Sequence, residues 1–232
     1  MNNASPAADQ ICFVTNFEDL VSIPFDGAIN AICWSRTLTG DFAEIVTKAG
    51  LTENIDTLDE TALAALELSE QGRLARDIIV NDLKLLAAHG ADPTLNLILY
   101  YERDDTHPFF PVDVYSFHAD RSPIPTATFL CTYYGEPSDI LPNAQAQQKV
   151  LVPEIREQLK KQYHGPAEGF ETFLMDHFFD LHYQATPGAL PISLGIGNIW
   201  RLAIDHPESK VLPCVHRAPK EKPGEPRLLL IC

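Results

Sequence analysis

Apolar positions along the chain change their spacing near residue 93. Between residues 58 and 89 they recur every three or four residues, as on one face of a helix. Gly72 predicts a break between two helices, because glycine is a poor helix former. Asp59 and Glu60 suit a helix start, and His89 followed by Gly90 suits a helix end. This part of the sequence therefore predicts a helical pair that covers one face of a sheet.

The residues after Pro93 follow a different pattern, in which short apolar stretches rich in strand-forming residues are separated by turn residues. Residues 151–163 predict a short helix, and residues 170–183 predict a further helix or strand. The chain contains 18 prolines and 12 glycines, many of them at the joints between these stretches. The predicted strands are 94–103, 112–118, 126–134, 192–195, 199–204, 211–216 and 227–231.

Helices first and strands afterwards predict an α+β chain with one domain, residues 1–232. Residues 1–93 would form a mainly helical N-terminal layer that starts with a loose arm at residues 1–25. Residues 94–232 would form a β-barrel or sandwich core, with a partly helical insert at residues 138–185.

Composition narrows the class of protein. The 232 residues are 45% hydrophobic and 21% charged, which suits a folded core without metals or disulfides. Asp and Glu number 32 against 17 Lys and Arg, and the sequence pI is about 4.8. Residues 1–116 hold 19 of the acidic residues and 6 of the basic ones. No basic stripe is present, so we expect no nucleic-acid partner.

The cellular setting is also an expectation from composition. No run of 18 apolar residues occurs and the first 20 residues do not resemble a signal peptide, so we expect no membrane partner and a cytoplasmic location. The five cysteines are scattered, with no CxxC pair. This pattern favours reduced, partly buried thiols over a disulfide framework.

Several familiar motifs are missing from the sequence. It has no GxxxxGK[ST] phosphate loop, no GxSxG elbow and no HExxH, and the segment from Gly195 to Gly197 is too short for a dinucleotide fingerprint. His177 and His182 are five residues apart, which does not place two ligands on one helical face. We interpret them as ordinary surface or core histidines.

One group of residues does indicate a metal site. His118 and Asp120 lie at the end of a predicted strand, and residues i and i+2 of a strand project to the same side. A second strand ending in His216 could supply a third ligand. Two imidazoles and one carboxylate form a facial triad that leaves three positions open on Fe(II), enough for a bidentate cosubstrate and oxygen. Arg227, eleven residues beyond His216, could hold a carboxylate of that cosubstrate.

The order HxD, distal His and Arg resembles the dioxygenases that use Fe(II) and 2-oxoglutarate. This resemblance implies a double-stranded β-helix, the jelly-roll or cupin-like barrel. It also implies Fe(II) held by His118, Asp120 and His216, with 2-oxoglutarate as a small-molecule cosubstrate anchored by Arg227. The expected activity is oxidation of a C–H bond in an unknown small-molecule or protein substrate.

A second resemblance covers residues 73–231. Phe117-His118-Ala119-Asp120, residues 130–135 (LCTYYG), residues 216–219 (HRAP) and residues 227–230 (RLLL) are similar to motifs of DUF1826, a family of bacterial proteins. Because no activity is established for that family, the resemblance bears on the fold and the site positions. It does not indicate the reaction.

Other interpretations of these residues stay open. His118 and Asp120 could form a hydrogen-bonded pair in a β-core, and Arg227 could form a salt bridge. Arg217 is a rival anchor for the cosubstrate, and Tyr133 is a candidate pocket residue that could contact it. Cys214, two residues before His216, could add a thiolate to a zinc site, which would make the protein a non-redox, zinc-binding cupin-like protein.

A third hypothesis needs no metal. The barrel would be an inactive interaction module, and the acidic helical layer would be its docking face. Glu70, Asp77 and Asp82 would carry the charges of that face.

Overall fold

The computed structural model describes residues 9–104, 106–107, 109–220 and 222–232. Its helices are α1 (Phe17–Ser22), α2 (Phe42–Ala49), α3 (Glu60–Ala65), α4 (Glu70–His89), α5 (Pro153–Gln162) and α6 (Phe170–Asp176). Its strands are β1 (Ile11–Val14), β2 (Ala31–Trp34), β3 (Ile55–Thr57), β4 (Thr94–Ile98), β5 (Phe117–His118), β6 (Ala127–Tyr134), β7 (Asp139–Ile140), β8 (Ala146–Gln148), β9 (His182–Ala185), β10 (Ile192–Ser193), β11 (Ile199–Ala203), β12 (His216–Arg217) and β13 (Arg227–Ile231).

The strands form two sheets in a mixed α+β fold. The large sheet has the order β1-β2-β11-β6-β13-β4-β3, and the small sheet has the order β10-β7-β12-β5-β9-β8. Side chains on successive residues of a strand point to opposite faces. Phe129 and Cys131 of β6 pack against the helices, whereas Leu130 packs toward Ile140 and Cys214 on the small-sheet side. The large sheet therefore lies between a helical layer and the small sheet.

Polar side chains fix the start of three helices. Asp41, Asp59 and Ser69 each accept a hydrogen bond from a backbone N–H three residues later, which satisfies a donor that the helix leaves unpaired. Gly90 ends α4 in the left-handed conformation, as the sequence predicts.

The predicted helix break at Gly72 is wrong in position. The chain leaves the helical conformation between α3 and α4, and Gly72 lies in the first turn of α4, where Ser69 caps the helix. A Cβ atom on Gly72 would lie 2.2 Å from a carboxylate oxygen of Glu44. The glycine therefore lets α2 approach α4 closely, and it does not end a helix.

The N-terminal segment contributes more than helices. The predicted loose arm is wrong for the described residues 9–25, because β1 pairs in parallel with β2 and α1 follows it; residues 1–8 lie outside the described residues. The N-terminal 93 residues supply three strands of the large sheet, β1, β2 and β3. Short strands with irregular neighbours carry too little periodicity to stand out in the sequence.

Most of the later predictions agree with the structure. The helix predicted at 151–163 is α5, and the strands predicted at 126–134, 199–204 and 227–231 are β6, β11 and β13. The ambiguous segment 170–183 divides into α6, a 3₁₀ turn and the first residues of β9. Only the last two residues of the predicted strand 112–118 are paired, as β5.

The cysteines are all unpaired thiols, and Cys33, Cys131 and Cys214 are buried, which confirms the expectation. Among the described residues, no helix is long and apolar enough to cross a bilayer.

Candidate metal centre

The small sheet brings two histidines side by side. His118 is the last residue of β5 and His216 is the first of β12, and the two residues are direct partners in the antiparallel ladder. Asp120 follows β5 by two residues, and its carbonyl accepts a hydrogen bond of 2.7 Å from the backbone N–H of Asp205. Directly opposed residues of neighbouring strands project from the same face. Strand pairing therefore places these three side chains together.

The distances within the group are short. Nε2 of His118 lies 3.8 Å from Oδ1 of Asp120, and Nε2 of His216 lies 3.5 Å from Oδ2 of Asp120. One ligand atom from each of the three residues lies within 4.8 Å of the others. The structure therefore brings together the three residues that the sequence assigned to a metal.

Both imidazoles are held in one orientation by the backbone. Nδ1 of His118 lies 2.8 Å from the carbonyl oxygen of Ser116, and Nδ1 of His216 lies 3.3 Å from that of Cys214. Because a carbonyl oxygen can only accept, each Nδ1 carries the hydrogen. Nε2 then presents its lone pair to the shared space, as metal-binding histidines do.

The protonation states also suit a metal ligand set. Burial, followed by the nearby charge of His216, lowers the pKa of His118 to about 4. Burial acts to raise the pKa of Asp120, but His216, the Thr128 hydroxyl and His118 together hold it below its usual value. At neutral pH, His118 is therefore a neutral donor and Asp120 is a carboxylate.

This geometry fits a single divalent ion. Two imidazoles at right angles around one ion, each with Nε2 about 2.1 Å from it, have ring centroids about 4.5 Å apart. The centroids of His118 and His216 are 4.6 Å apart. Two nitrogen donors and one carboxylate suit iron, zinc and related ions.

Thr128 of β6 links the site to the large sheet. Its buried hydroxyl donates a hydrogen bond to Oδ2 of Asp120. This contact leaves Oδ1 of Asp120 free of the hydroxyl and fixes the carboxylate plane. Sequence reasoning missed Thr128, because nothing in the spacing of residues 120 and 128 shows that they meet across two sheets.

The Thr128 contact gives a testable expectation for metal affinity. Thr128→Val should weaken binding of Zn²⁺ about tenfold, since loss of a partner that orients a ligand typically costs 10–100-fold. Thr128→Ser should bind normally because it keeps the hydroxyl. Competition with a chelator measures both constants, and Thr126→Val at an exposed position is the control. Equal zinc affinity in Thr128→Val and the wild type would contradict this role.

A cavity of about 290 Å³ opens beside His118 and Asp120. Its wall includes His182, which the sequence analysis set aside as an ordinary histidine. His182 is the first residue of β9 and pairs directly with His118. His182 and His118 are 64 residues apart in the chain, so only the pairing of β9 with β5 shows that His182 lies beside the triad. The other lining residues are Val112, Asp113, Val114, Ala119, Arg121, Phe178 and Leu181.

The predicted cosubstrate anchors lie in different places. Arg227 is 5% exposed at the start of β13, and Leu229 on the same face of this strand packs toward the small sheet. Its guanidinium donates to the Glu136 carbonyl at 2.7 Å and to the Ser138 hydroxyl at 3.2 Å. Because Ser138 directly precedes β7, the neighbour of β12, Arg227 is on the metal-site side of the large sheet.

Arg217 is not brought to the triad. It follows His216 in β12 and therefore points to the opposite face of the small sheet. There its guanidinium pairs with Asp139 at 3.1 Å and lies over the Phe117 ring, 4.2 Å from the centroid.

Tyr133 is not brought to the triad either. It packs on the helical face of the large sheet, stacks on Phe42 with centroids 5.5 Å apart, and donates a hydrogen bond of 2.7 Å to Asp82. Cys214 is fully buried outside the three-residue group, and burial raises the pKa of its thiol well above the usual value. A thiolate at that position is therefore unfavourable in the metal-free protein.

The docking-face hypothesis needs a correction at Asp82. This residue is 0% exposed and forms an ion pair with Arg36, so it carries no charge on the surface of the helical layer. Asp77, in contrast, is exposed. The i, i+3, i+4 pattern places Asp82 between the apolar Ile79 and Leu86 on one face of α4, and this position explains its burial.

Comparisons with known proteins add no family to these observations. No family model matches the chain, and no curated protein or solved structure matches it either. The resemblance to DUF1826 therefore stays a prediction.

Proposed function

We propose that this protein is an Fe(II)- and 2-oxoglutarate-dependent dioxygenase. The observation that carries the proposal is the cluster of His118, Asp120 and His216, with both Nδ1 atoms held by carbonyl groups and both Nε2 atoms directed at the carboxylate. Two histidines and one carboxylate are the donor set of non-haem Fe(II) oxygenases.

We propose further that the two sheets form a double-stranded β-helix. Eight strands support this proposal, with β11-β6-β13-β4 consecutive in the large sheet and β10-β7-β12-β5 consecutive in the small one. From β4 to β7 the chain alternates between the sheets at every strand, and it does so again from β10 to β13. Repeated crossing between two facing sheets is the connectivity of a jelly roll. β8 and β9, from the insert, extend the small sheet beyond β5.

This topology accounts for the long sequence interval between Asp120 and His216. The predicted insert 138–185 contains β7, which stays within the eight strands, followed by β8, α5, α6 and β9. The added helices and strands lie at the β5 edge of the small sheet, so β5 and β12 remain neighbours.

The metal and cosubstrate would supply the oxidation. With both bound, the overall reaction takes up O₂, oxidises a C–H bond of the substrate to C–OH and converts 2-oxoglutarate to succinate and CO₂. The protein holds the ion through His118, Asp120 and His216, and the backbone fixes the tautomers of the two histidines. Thr128 orients the carboxylate. The two facing sheets limit the access of water to the site.

Arg227 is the proposed anchor for the far carboxylate of 2-oxoglutarate. Its charge is buried on the side of the large sheet that faces the small one. Gly135 makes room for it: a Cβ atom there would lie 2.7 Å from the Pro226 carbonyl and 3.0 Å from Cγ of Arg227. A bidentate contact between guanidinium and carboxylate is strong and directional.

Titration of anaerobic protein with Fe(II) and then 2-oxoglutarate tests the proposal. We expect a weak charge-transfer band in the visible range for the wild type. Arg227→Met should raise the Kd of 2-oxoglutarate at least about tenfold, because a hydrogen bond to a charged group contributes about 1.5–3 kcal/mol. Arg217→Met should leave this Kd unchanged, since its guanidinium lies on the opposite face. Circular dichroism and the charge-preserving variant Arg227→Lys separate loss of binding from loss of folding.

The same titration separates the alternative function. If the protein holds one equivalent of zinc tightly and shows no spectral response to Fe(II) and 2-oxoglutarate, the dioxygenase proposal is wrong. The result would then support a non-redox zinc-binding protein. If the wild type shows the band and it weakens equally in Arg227→Met and Arg217→Met, the result supports the metal site but contradicts the role of Arg227 as the anchor.

A further inference from the structure

Three histidines form a row across the small sheet. In the ladders of β12, β5 and β9, His216 pairs with His118, and His118 pairs with His182. Each of the three has its Nδ1 near a backbone carbonyl, and for His182 this is the carbonyl of Phe178 at 2.8 Å. All three side chains therefore present Nε2 on the same side of the sheet.

The third histidine is not positioned as a metal ligand. The ring centroids of His118 and His182 are 5.8 Å apart, compared with 4.6 Å for His118 and His216. His182 also lies outside the group whose ligand atoms are within 4.8 Å of one another. Its role must therefore differ from that of the other two histidines.

His182 has a buried acceptor without a partner. The residue is 4% exposed, and its Nε2 makes no hydrogen bond to the described residues, although the backbone of Val112 lies close to the ring. An unsatisfied polar atom of this kind destabilises the fold until a partner satisfies it. Because His182 lines the 290 Å³ cavity beside the metal ligands, a donor on a molecule in that cavity would satisfy it.

Phe178 provides a second, independent observation at the same cavity. It has φ of 58° and ψ of 14°, a left-handed conformation that is unfavourable for a bulky side chain, and its ring is 55% exposed. Strained backbone of this kind persists where the surrounding structure fixes it, often at ligand sites. The Phe178 carbonyl lies against Nδ1 of His182, and Phe178 itself lines the cavity.

The remaining wall is largely apolar. Val112, Val114 and Leu181 line it together with Phe178. The cationic group in the wall, Arg121, is already paired with Asp180 and with Asp205. Asp113 also lines the cavity, and its Oδ1 accepts hydrogen bonds from the backbone N–H groups of Tyr115 and Ser116. Away from the triad, the wall therefore offers apolar contact and Nε2 of His182.

We propose that His182 and Phe178 form the binding site for the substrate to be oxidised, a small and largely apolar molecule with an N–H or O–H donor. The donor bonds to Nε2 of His182, and the apolar part lies against Phe178 and Leu181. That the bound molecule is a substrate rests on the proposed function, but binding at this site can be measured without turnover.

The test uses indole and 1-methylindole as probes on the metal-loaded, anaerobic protein. The two differ in the N–H donor, and calorimetry or NMR titration gives both dissociation constants. Indole should bind about fivefold more tightly, as one neutral hydrogen bond contributes about 1 kcal/mol. In His182→Leu the two probes should bind equally. The matched control His164→Leu, at an exposed histidine, should keep the preference.

Phe178→Ala should weaken the binding of both probes by a similar factor and keep the preference for indole. Equal binding of the two probes to the wild type, or binding of neither, would overturn the proposal without any variant. The Fe(II) and 2-oxoglutarate band is recorded on the same samples. If the charge-transfer band forms but indole binds no more tightly than 1-methylindole, only the proposed substrate site is wrong. If indole binds more tightly but no band forms, only the proposed dioxygenase function is wrong.

Discussion

His216→Ala is expected to abolish metal binding and with it the oxidation that we propose for this protein. The variant leaves His118 and Asp120 as the remaining ligands of the triad, and two ligands do not hold a divalent ion against water. We expect at least about a hundredfold loss of affinity for Fe(II), which exceeds the 10–100-fold effect of removing a group that only orients a ligand. The visible band with 2-oxoglutarate and oxygen-dependent succinate formation should both disappear.

The fold should survive this substitution. β12 stays paired with β5 and β7 through its backbone, and the Arg217–Asp139 ion pair on the opposite face does not involve the imidazole. His216 is buried, so its truncation leaves a small cavity, and the Asp120 carboxylate keeps its hydrogen bond from the Thr128 hydroxyl. His164→Ala is the control for handling and metal contamination. Asp120→Asn tests the same centre without a change of shape.

Retention of both the band and succinate formation in His216→Ala would remove the triad from the mechanism. Loss of the band together with loss of the native circular dichroism would show a structural role for His216 instead. Asp120→Asn then decides, because this variant keeps the volume of the side chain and lowers only its charge.

The sequence predicted the group of His118, Asp120 and His216 because its signal is local. In the pair His118 and Asp120, the i, i+2 spacing alone places two donors on one side of a strand. His216 ends an apolar stretch, residues 211–216, that predicts a second strand; only His216 of that stretch is paired, as the first residue of β12. The apolar pattern also predicted α5, β6, β11 and β13, since each has enough consecutive residues to show a period.

The residues that the sequence did not reveal depend on pairing between distant strands. His182 reaches His118 through a ladder of two residue pairs, and Thr128 reaches Asp120 from the opposite sheet. Arg217 was a rival anchor for the cosubstrate and Tyr133 a candidate pocket residue, but each side chain lies on the face of its sheet away from the triad. A shift of one position along a strand reverses the face, so such assignments need the register.

Asp82 carries the second large expected effect, which concerns stability. It is fully buried on α4, and Oδ1 accepts a hydrogen bond of 2.7 Å from Nη1 of Arg36. Oδ2 accepts from Nη2 of Arg36 and from the Tyr133 hydroxyl. These contacts join the longest helix to β6 and to the residue that follows β2 by two positions, so they fix the helical layer on the large sheet.

The guanidinium of Arg36 depends on this carboxylate. Burial acts to lower its pKa, but the hydrogen bonds and charge of Asp82 raise it well above the usual value. An arginine does not lose its proton in a protein, so removal of Asp82 would leave a buried positive charge. The Gly197 carbonyl, 2.7 Å from Nε, and the Trp34 ring, 4.5 Å away, would be weak substitutes for it.

Asp82→Ala should therefore lower the free energy of unfolding by about 3–5 kcal/mol, the usual cost of breaking a buried ion pair. Urea denaturation measures this change, and Asp77→Ala, at an exposed position of the same helix, should change stability by less than about 0.5 kcal/mol. Arg36→Met combined with Asp82→Leu should recover much of the loss, because the apolar pair has no charge to desolvate. If Asp82→Ala unfolds at the same urea concentration as the wild type, the network does not hold the layer.

The metal centre offers an independent check on the same variant. His118, Asp120 and His216 lie beyond the opposite face of the large sheet, so folded Asp82→Ala protein should bind zinc with unchanged affinity below the unfolding transition. A joint loss of stability and zinc affinity would mean that the helical layer and the small sheet are coupled through β6, which supplies Tyr133 to one side and Thr128 to the other. Separate effects would mean that the helices stabilise the sheet without shaping the site.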